Sequence, residues 1–178
     1  MEEFGLKVFR TSISWARIFP NGDDAEPNEE GLRYYEDLFA ECHRRGMKVF
    51  ATILHYATPV NLVTTYGGWK SREMIDFYLR YCKALFERLG DLVDFWLPFN
   101  EINCSRFNPW NGCCLIKDQE ENYDQAIFQC THHQFVANAL AVKLCHQMIP
   151  GSMVGGMIAR FTSYPATCDP DDVMASIL

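Results

Sequence analysis

Asn100-Glu101 closes the run Phe95-Trp96-Leu97-Pro98-Phe99. An aromatic and aliphatic run of that kind builds a buried strand. The amide and the carboxyl group then leave it at its C-terminal end. In a parallel α/β fold that end of the sheet is where chemistry sits. A carboxyl group that leaves an apolar strand for a cleft is desolvated. Its pKa then rises, which suits it to general-acid work near neutral pH. The plain alternative is a strand-terminal glutamate paired with a surface Lys or Arg. Two more polar groups stand on predicted strands. His55 closes Lys48-Val49-Phe50-Ala51-Thr52-Ile53-Leu54, and Arg10 lies within Lys7 to Trp15.

The elements that must position these groups alternate. After Gly5, a strand is expected over Lys7 to Trp15, then a loop marked by Pro20-Asn21-Gly22 and Pro27-Asn28. A helix follows over Glu29 to Arg45, with Leu32, Tyr35, Leu38, Phe39 and Cys42 at helical spacing and Gly46 as the stop. The second strand, Lys48 to His55, is a nearly continuous apolar run of the kind parallel sheets bury. A long loop carries Pro59 and Gly67-Gly68. The second helix, Ser71 to Leu89, has Ser71 as N-cap and Gly90 as stop. The third strand is Asp94 to Phe99, followed by a loop to Asn122. The third helix is Tyr123 to Met148 and the fourth strand Met153 to Ile158, with a helix start at Asp171-Asp172. Such β-α-β alternation argues for parallel strands joined by right-handed crossovers. Two architectures fit it: an open doubly wound sheet, or part of an eight-fold barrel. Arg10-Thr11-Ser12 stands where a dinucleotide-binding fold would place a glycine-rich loop, which argues against that fold.

With 178 residues and 48% hydrophobic side chains, the chain can fold as one domain around a sizeable core. A net charge of −7 disfavours nucleic acid and anionic membrane surfaces as partners. No apolar run approaches a membrane span, and no signal peptide is expected from the opening residues. The eight cysteines show no CxxC and no metal spacing. They are expected to be reduced thiols of a cytoplasmic protein.

Several motifs together resemble glycoside hydrolase family 1. They are Phe9 to Pro20 (FRTSISWARIFP), Gly67-Gly68-Trp69, Phe99-Asn100-Glu101 and His132-His133, in collinear order across the whole chain. Asn100-Glu101-Ile102-Asn103 and the tail from Met157 to Val173 are closer to the 6-phospho-β-glucosidases of that family. The resemblance implies a partial (β/α)8 barrel, covering roughly strands 2 to 5, in a single incomplete domain over residues 1–178. It implies hydrolysis of β-glucosides or 6-phospho-β-glucosides with retention, without metal or organic cofactor. In that frame Glu101 resembles the acid/base, and Asn100 the ligand of the sugar 2-hydroxyl. His55 resembles a sugar-hydroxyl ligand, and Arg10 the support of the nucleophilic carboxylate. A neutral imidazole and an amide suit sugar hydroxyls, and Arg supplies fixed charge.

A retaining glycosidase needs two carboxyl groups about 5–5.5 Å apart. The family's Glu-Asn-Gly type nucleophile motif does not occur among these residues. The chain is therefore expected to be a barrel fragment, inactive by itself, whose open sheet edges invite self-association. Without the partner carboxylate, Glu101 is expected to relax toward the ordinary ~4.3. Pro98 removes a ladder donor next to the site and is expected to sit at an unpaired position or to shift Glu101. Other features read more simply. His132-His133 and Trp69 are read as structural, Cys113-Cys114 as loop thiols, and Asp118 to Glu121 as a solvated acidic loop.

Overall fold

The computed structural model describes residues 1–117 and 120–177. Four parallel strands form one sheet in the order β1-β2-β3-β4: Val8–Ser12, Lys48–Leu54, Phe95–Phe99 and Met153–Val154. Each strand lies beside the one before it. A doubly wound sheet reverses its strand order at a switch point, and this sheet has no reversal. The helices are α1 (Trp15–Ile18), α2 (Glu29–Arg44), α3 (Val60–Tyr66) and α4 (Glu73–Leu89), then α5 (Cys104–Phe107), α6 (Pro109–Cys113), α7 (Tyr123–Met148) and α8 (Pro170–Ile177).

The long helices follow their caps. Asn28 Oδ1 accepts the Glu30 amide at the start of α2, and Asn122 Oδ1 accepts the Gln125 amide at the start of α7. Ser71 Oγ accepts the Glu73 amide at 3.2 Å, although α4 itself begins at Glu73. Cys130, Ala137, Ala141 and Cys145 form a buried stripe of small side chains on α7, which lets it pack closely on α4.

Three expectations need correction. The first strand ends at Ser12 rather than Trp15. Ile13 N still donates to Thr52 O at 2.9 Å, but Ser14 N turns to Tyr35 OH at 2.8 Å and Trp15 starts a short helix. The fourth strand spans two residues rather than six, because its pairing with β3 ends at Trp96↔Val154 and Gly155 N→Trp96 O. The two predicted loops contain the short helices α3, α5 and α6.

The core is aromatic. Trp15 stacks on Tyr81 with ring centroids 5.2 Å apart, and Trp69 packs against both Tyr78 and Phe99. Trp69 is fully buried, as a packing anchor should be. Gly68 adopts φ +61°, and a side chain there would meet Cys114 Cβ at 2.9 Å, so the turn that seats Trp69 needs glycine. Buried His133 donates from Nδ1 to Trp69 O at 2.9 Å and meets Gln129 Nε2 at Nε2 at 2.8 Å, which is a structural role. Glu120 ion-pairs with Lys70 at 2.6 Å instead of standing free in solvent, and Asp118 lies outside the described residues.

Pro98 stays within β3. Trp96 O faces β4, and strand alternation puts the Pro98 nitrogen on that same side, past the last β3–β4 pair. No β2 acceptor is deprived by it, and Pro98 O accepts from Tyr78 OH at 2.6 Å. The two edge strands are open, with Val8 46% and Met153 61% exposed.

Tyr81 OH donates to Ile13 O and Ile53 O, each at 3.1 Å, and so ties the end of β1 to β2 from the buried side. Tyr81→Phe leaves both carbonyls without that donor and should cost about 1–2 kcal/mol. Urea unfolding measures it; an unchanged midpoint would contradict the assignment.

Candidate active site

The register places the site. Leu54 pairs with Phe99, so the next residues, His55 and Asn100, emerge side by side at the C-terminal end of the sheet. Asn100 N donates to Leu54 O at 2.9 Å and fixes that exit. Arg10 lies further back, opposite Phe50, and its long side chain crosses β2. Arg10 Nη2 donates to Asn100 Oδ1 at 2.8 Å, with Thr52 Oγ1 at 3.5 Å and Met157 Sδ at 2.9 Å. The structure therefore brings Arg10, His55, Asn100 and Glu101 together. Asn100 is buried, whereas Arg10 and His55 are exposed and Glu101 is half-buried.

Glu101 accepts from Tyr56 OH, from Asn100 Nδ2 at 3.3 Å and from Cys104 Sγ at 3.6 Å, all on Oε2. Its carboxyl is held below the usual range, not above it. The Tyr56 hydrogen bond is the main cause. Partial desolvation opposes it, and Cys104, the nearby His55 and Asn100 add to it. Neither the upward shift expected of a desolvated acid nor the relaxation to the ordinary value expected without a partner carboxylate is found, because donors that stabilise the charged form outweigh desolvation at a half-open position. The His55 imidazole is pushed below its ordinary value by desolvation and then by the Arg10 charge, with Glu101 opposing. It is neutral at pH 7.

Tyr56 and Cys104 carry no chemical signal in their local sequence, Asn103 and Met157 stand there only as parts of longer motifs without a role, and the structure adds all four to the site. Tyr56 directly follows His55, which is the one hint available. Asn103 Nδ2 donates to Ala159 O at 2.8 Å and Asn103 Oδ1 accepts the Ala159 amide at 2.9 Å. That pair holds the segment after β4 against the site, where Met157 meets Arg10. Among the described residues no cluster of His, Cys, Asp or Glu could hold a metal ion. No described helix is long and apolar enough to cross a membrane.

A sequential parallel sheet with helical crossovers and polar groups gathered at its C-terminal end is the arrangement of part of a (β/α)8 barrel enzyme. The sequence profile of glycosyl hydrolase family 1 matches residues 1–177, and the chain belongs to that family. It is 52% identical over 175 residues to the aryl-phospho-β-D-glucosidase BglH of Bacillus subtilis, covering 98% of this chain and 37% of that protein. It is 44% identical over 177 residues to the 6-phospho-β-glucosidase AscB of Escherichia coli, covering 99% of this chain and again 37% of the relative. The β-glucosidase of Thermotoga maritima in complex with glucoimidazole superposes with a TM-score of 0.85 at 29% identity, over 99% of this chain and 39% of that one. The chain thus spans a little over a third of the length of these relatives, and it is a partial barrel.

Arg10→Met removes the charge beside His55. The His55 pKa should then rise toward the ordinary ~6.5, read from its ring signals by NMR titration. An unmoved midpoint would show that Arg10 does not act on the ring.

Proposed function

We propose that these residues form the acid/base half of a retaining β-glucosidase site that acts on 6-phospho-β-glucosides. Glu101 gives its proton to the leaving oxygen and then, ionised, takes one from the attacking water. Asn100 Nδ2 is the donor for the sugar 2-hydroxyl, a contact that strengthens in the transition state. The neutral His55 binds a further hydroxyl. Among the described residues, every Arg10 hydrogen bond leaves from Nη2. Nε and Nη1 remain for a carboxylate nucleophile supplied from outside these residues. Protonation of Glu101 then follows from that second carboxylate, because like charges about 5 Å apart raise one pKa. The chemistry needs no cofactor, and the reading includes a cytoplasmic setting that keeps the eight free thiols reduced.

The observation that carries the reading is the side-by-side exit of His55 and Asn100-Glu101, bridged to Arg10, in a chain of this family. Phosphorylated sugars are favoured over plain glucosides by the similarity to BglH and AscB. Plain β-glucosides are the second reading, favoured by the likeness to the Thermotoga β-glucosidase. For the 178 residues alone the reading is a half-barrel without turnover. Glu101 meets Tyr56, Asn100 and Cys104 but no carboxylate among the described residues.

The test exchanges this segment for the matching segment of the Bacillus subtilis relative. The chimera should hydrolyse an aryl 6-phospho-β-glucoside faster than the unphosphorylated counterpart, and Glu101→Gln should lower kcat by about 10²–10⁴-fold. A chimera indifferent to Glu101→Gln overturns the acid/base assignment. The isolated chain should show no turnover; activity lost in its Glu101→Gln variant would overturn the need for a second carboxylate.

A further inference from the structure

Among the described residues, three non-glycine residues have positive φ: Tyr56 at 66°, Glu101 at 41° and Cys114 at 59°. Two of the three touch each other, through Tyr56 OH and Glu101 Oε2. They stand at the ends of neighbouring strands, one residue past His55 and Asn100 respectively. Left-handed backbone at a bulky residue is strained and persists only where its surroundings over-determine it. Here both strained residues turn their side chains toward one contact. The contact is also asymmetric at the carboxyl group. Tyr56, Asn100 and Cys104 all donate to Oε2, and no described residue donates to Oε1.

We propose that Tyr56 is a positioning residue for Glu101: its phenol fixes Oε2 and leaves Oε1 as the oxygen that carries the exchanging proton. The assignment rests on the acid/base reading for its catalytic meaning. A phenol donating to Oε2 is compatible with both states of the carboxyl group, since Oε2 accepts whether Oε1 is protonated or not. Glu101 can thus alternate between acid and base without swinging its side chain. The phenol itself does not compete for the proton. Desolvation, then Cys104 and the Glu101 carboxylate, push its pKa above the ordinary tyrosine value, so it stays a donor at every working pH. The other groups that act on Glu101 are His55, held neutral, the Cys104 thiol from α5, and the Asn100 amide, whose contact at 3.3 Å is long. None of these replaces a phenol as a strong neutral donor on Oε2.

Tyr56→Phe keeps the ring and its backbone geometry and removes only the hydroxyl. NMR titration of ¹³C-labelled glutamate carboxyls in the 178-residue chain reads the result, with Glu101→Gln assigning the signal. The Glu101 midpoint should rise by about one pH unit in Tyr56→Phe, a tenfold change in its protonation constant. In Cys104→Ala it should move much less, because a thiol is a weak donor. Incorporation of 3,5-difluorotyrosine at position 56 gives a stronger donor of the same shape and should lower the midpoint. That variant keeps the test decisive if Tyr56→Phe fails to fold. Coincident midpoints in the unsubstituted and altered chains overturn the proposal. The titration needs no turnover, so a failure of the acid/base reading in kinetic experiments and a failure of this contact are told apart.

Discussion

Leu54 pairs with Phe99, and the candidate site takes its geometry from that pair. Because β2 and β3 run parallel and in this register, the residues that follow them leave the sheet together. A slip of one residue would send every side chain of one strand to the opposite face. His55 and Asn100 would then no longer meet. The register is held on both sides of the sheet. Below it, the aromatic layer of Trp69, Tyr78 and Phe99 packs under the strand ends, and Tyr78 OH holds Pro98 O. Above it, Arg10 reaches across β2 to Asn100 and ties the first strand to the third.

The electrostatics follow from this arrangement. Desolvation first, and then the neighbouring guanidinium, hold the His55 imidazole below its ordinary value, which suits the proposed role of a ligand for uncharged hydroxyls. The same guanidinium orients the Asn100 amide, since its Oδ1 accepts from Arg10 and its Nδ2 is left facing Glu101. The carboxyl group of Glu101 is ionised here because hydrogen bonds outweigh desolvation. An acid that must be protonated near neutral pH therefore needs a second negative charge close by. Among the described residues, the Arg10 hydrogen bonds leave from Nη2, so Nε and Nη1 are the donors the proposed reading assigns to it. On the proposed acid/base reading, that charge is a carboxylate supplied from outside these residues.

Much of the fold was legible in the residues. Helix α7 runs from Tyr123 to Met148, the same bounds the residues predict, and Asn122 caps it. The strands of the site were legible as apolar runs ending in polar groups, which brought out His55 and Asn100-Glu101 directly. The short helices α3, α5 and α6 were not legible. They span only four to seven residues, too few for a periodic signal, and tertiary packing decides them. The fourth strand looked longer than it is because Met153 to Ile158 is apolar, while pairing with β3 stops at Trp96. The direction of the Glu101 shift was missed for a related reason. Tyr56 is 45 residues away in sequence and becomes its partner only through register and two left-handed turns of backbone.

The most direct test of the account is a titration of the ¹⁵N,¹³C-labelled chain with methyl 6-phospho-β-glucoside, followed by NMR. The Asn100 side-chain amide and the His55 ring signals should move together and saturate at one common Kd, because the Leu54–Phe99 register sets them against the same sugar. Shifts confined to other parts of the chain, with Asn100 and His55 unmoved, would contradict the claim that the strand ends form a sugar site.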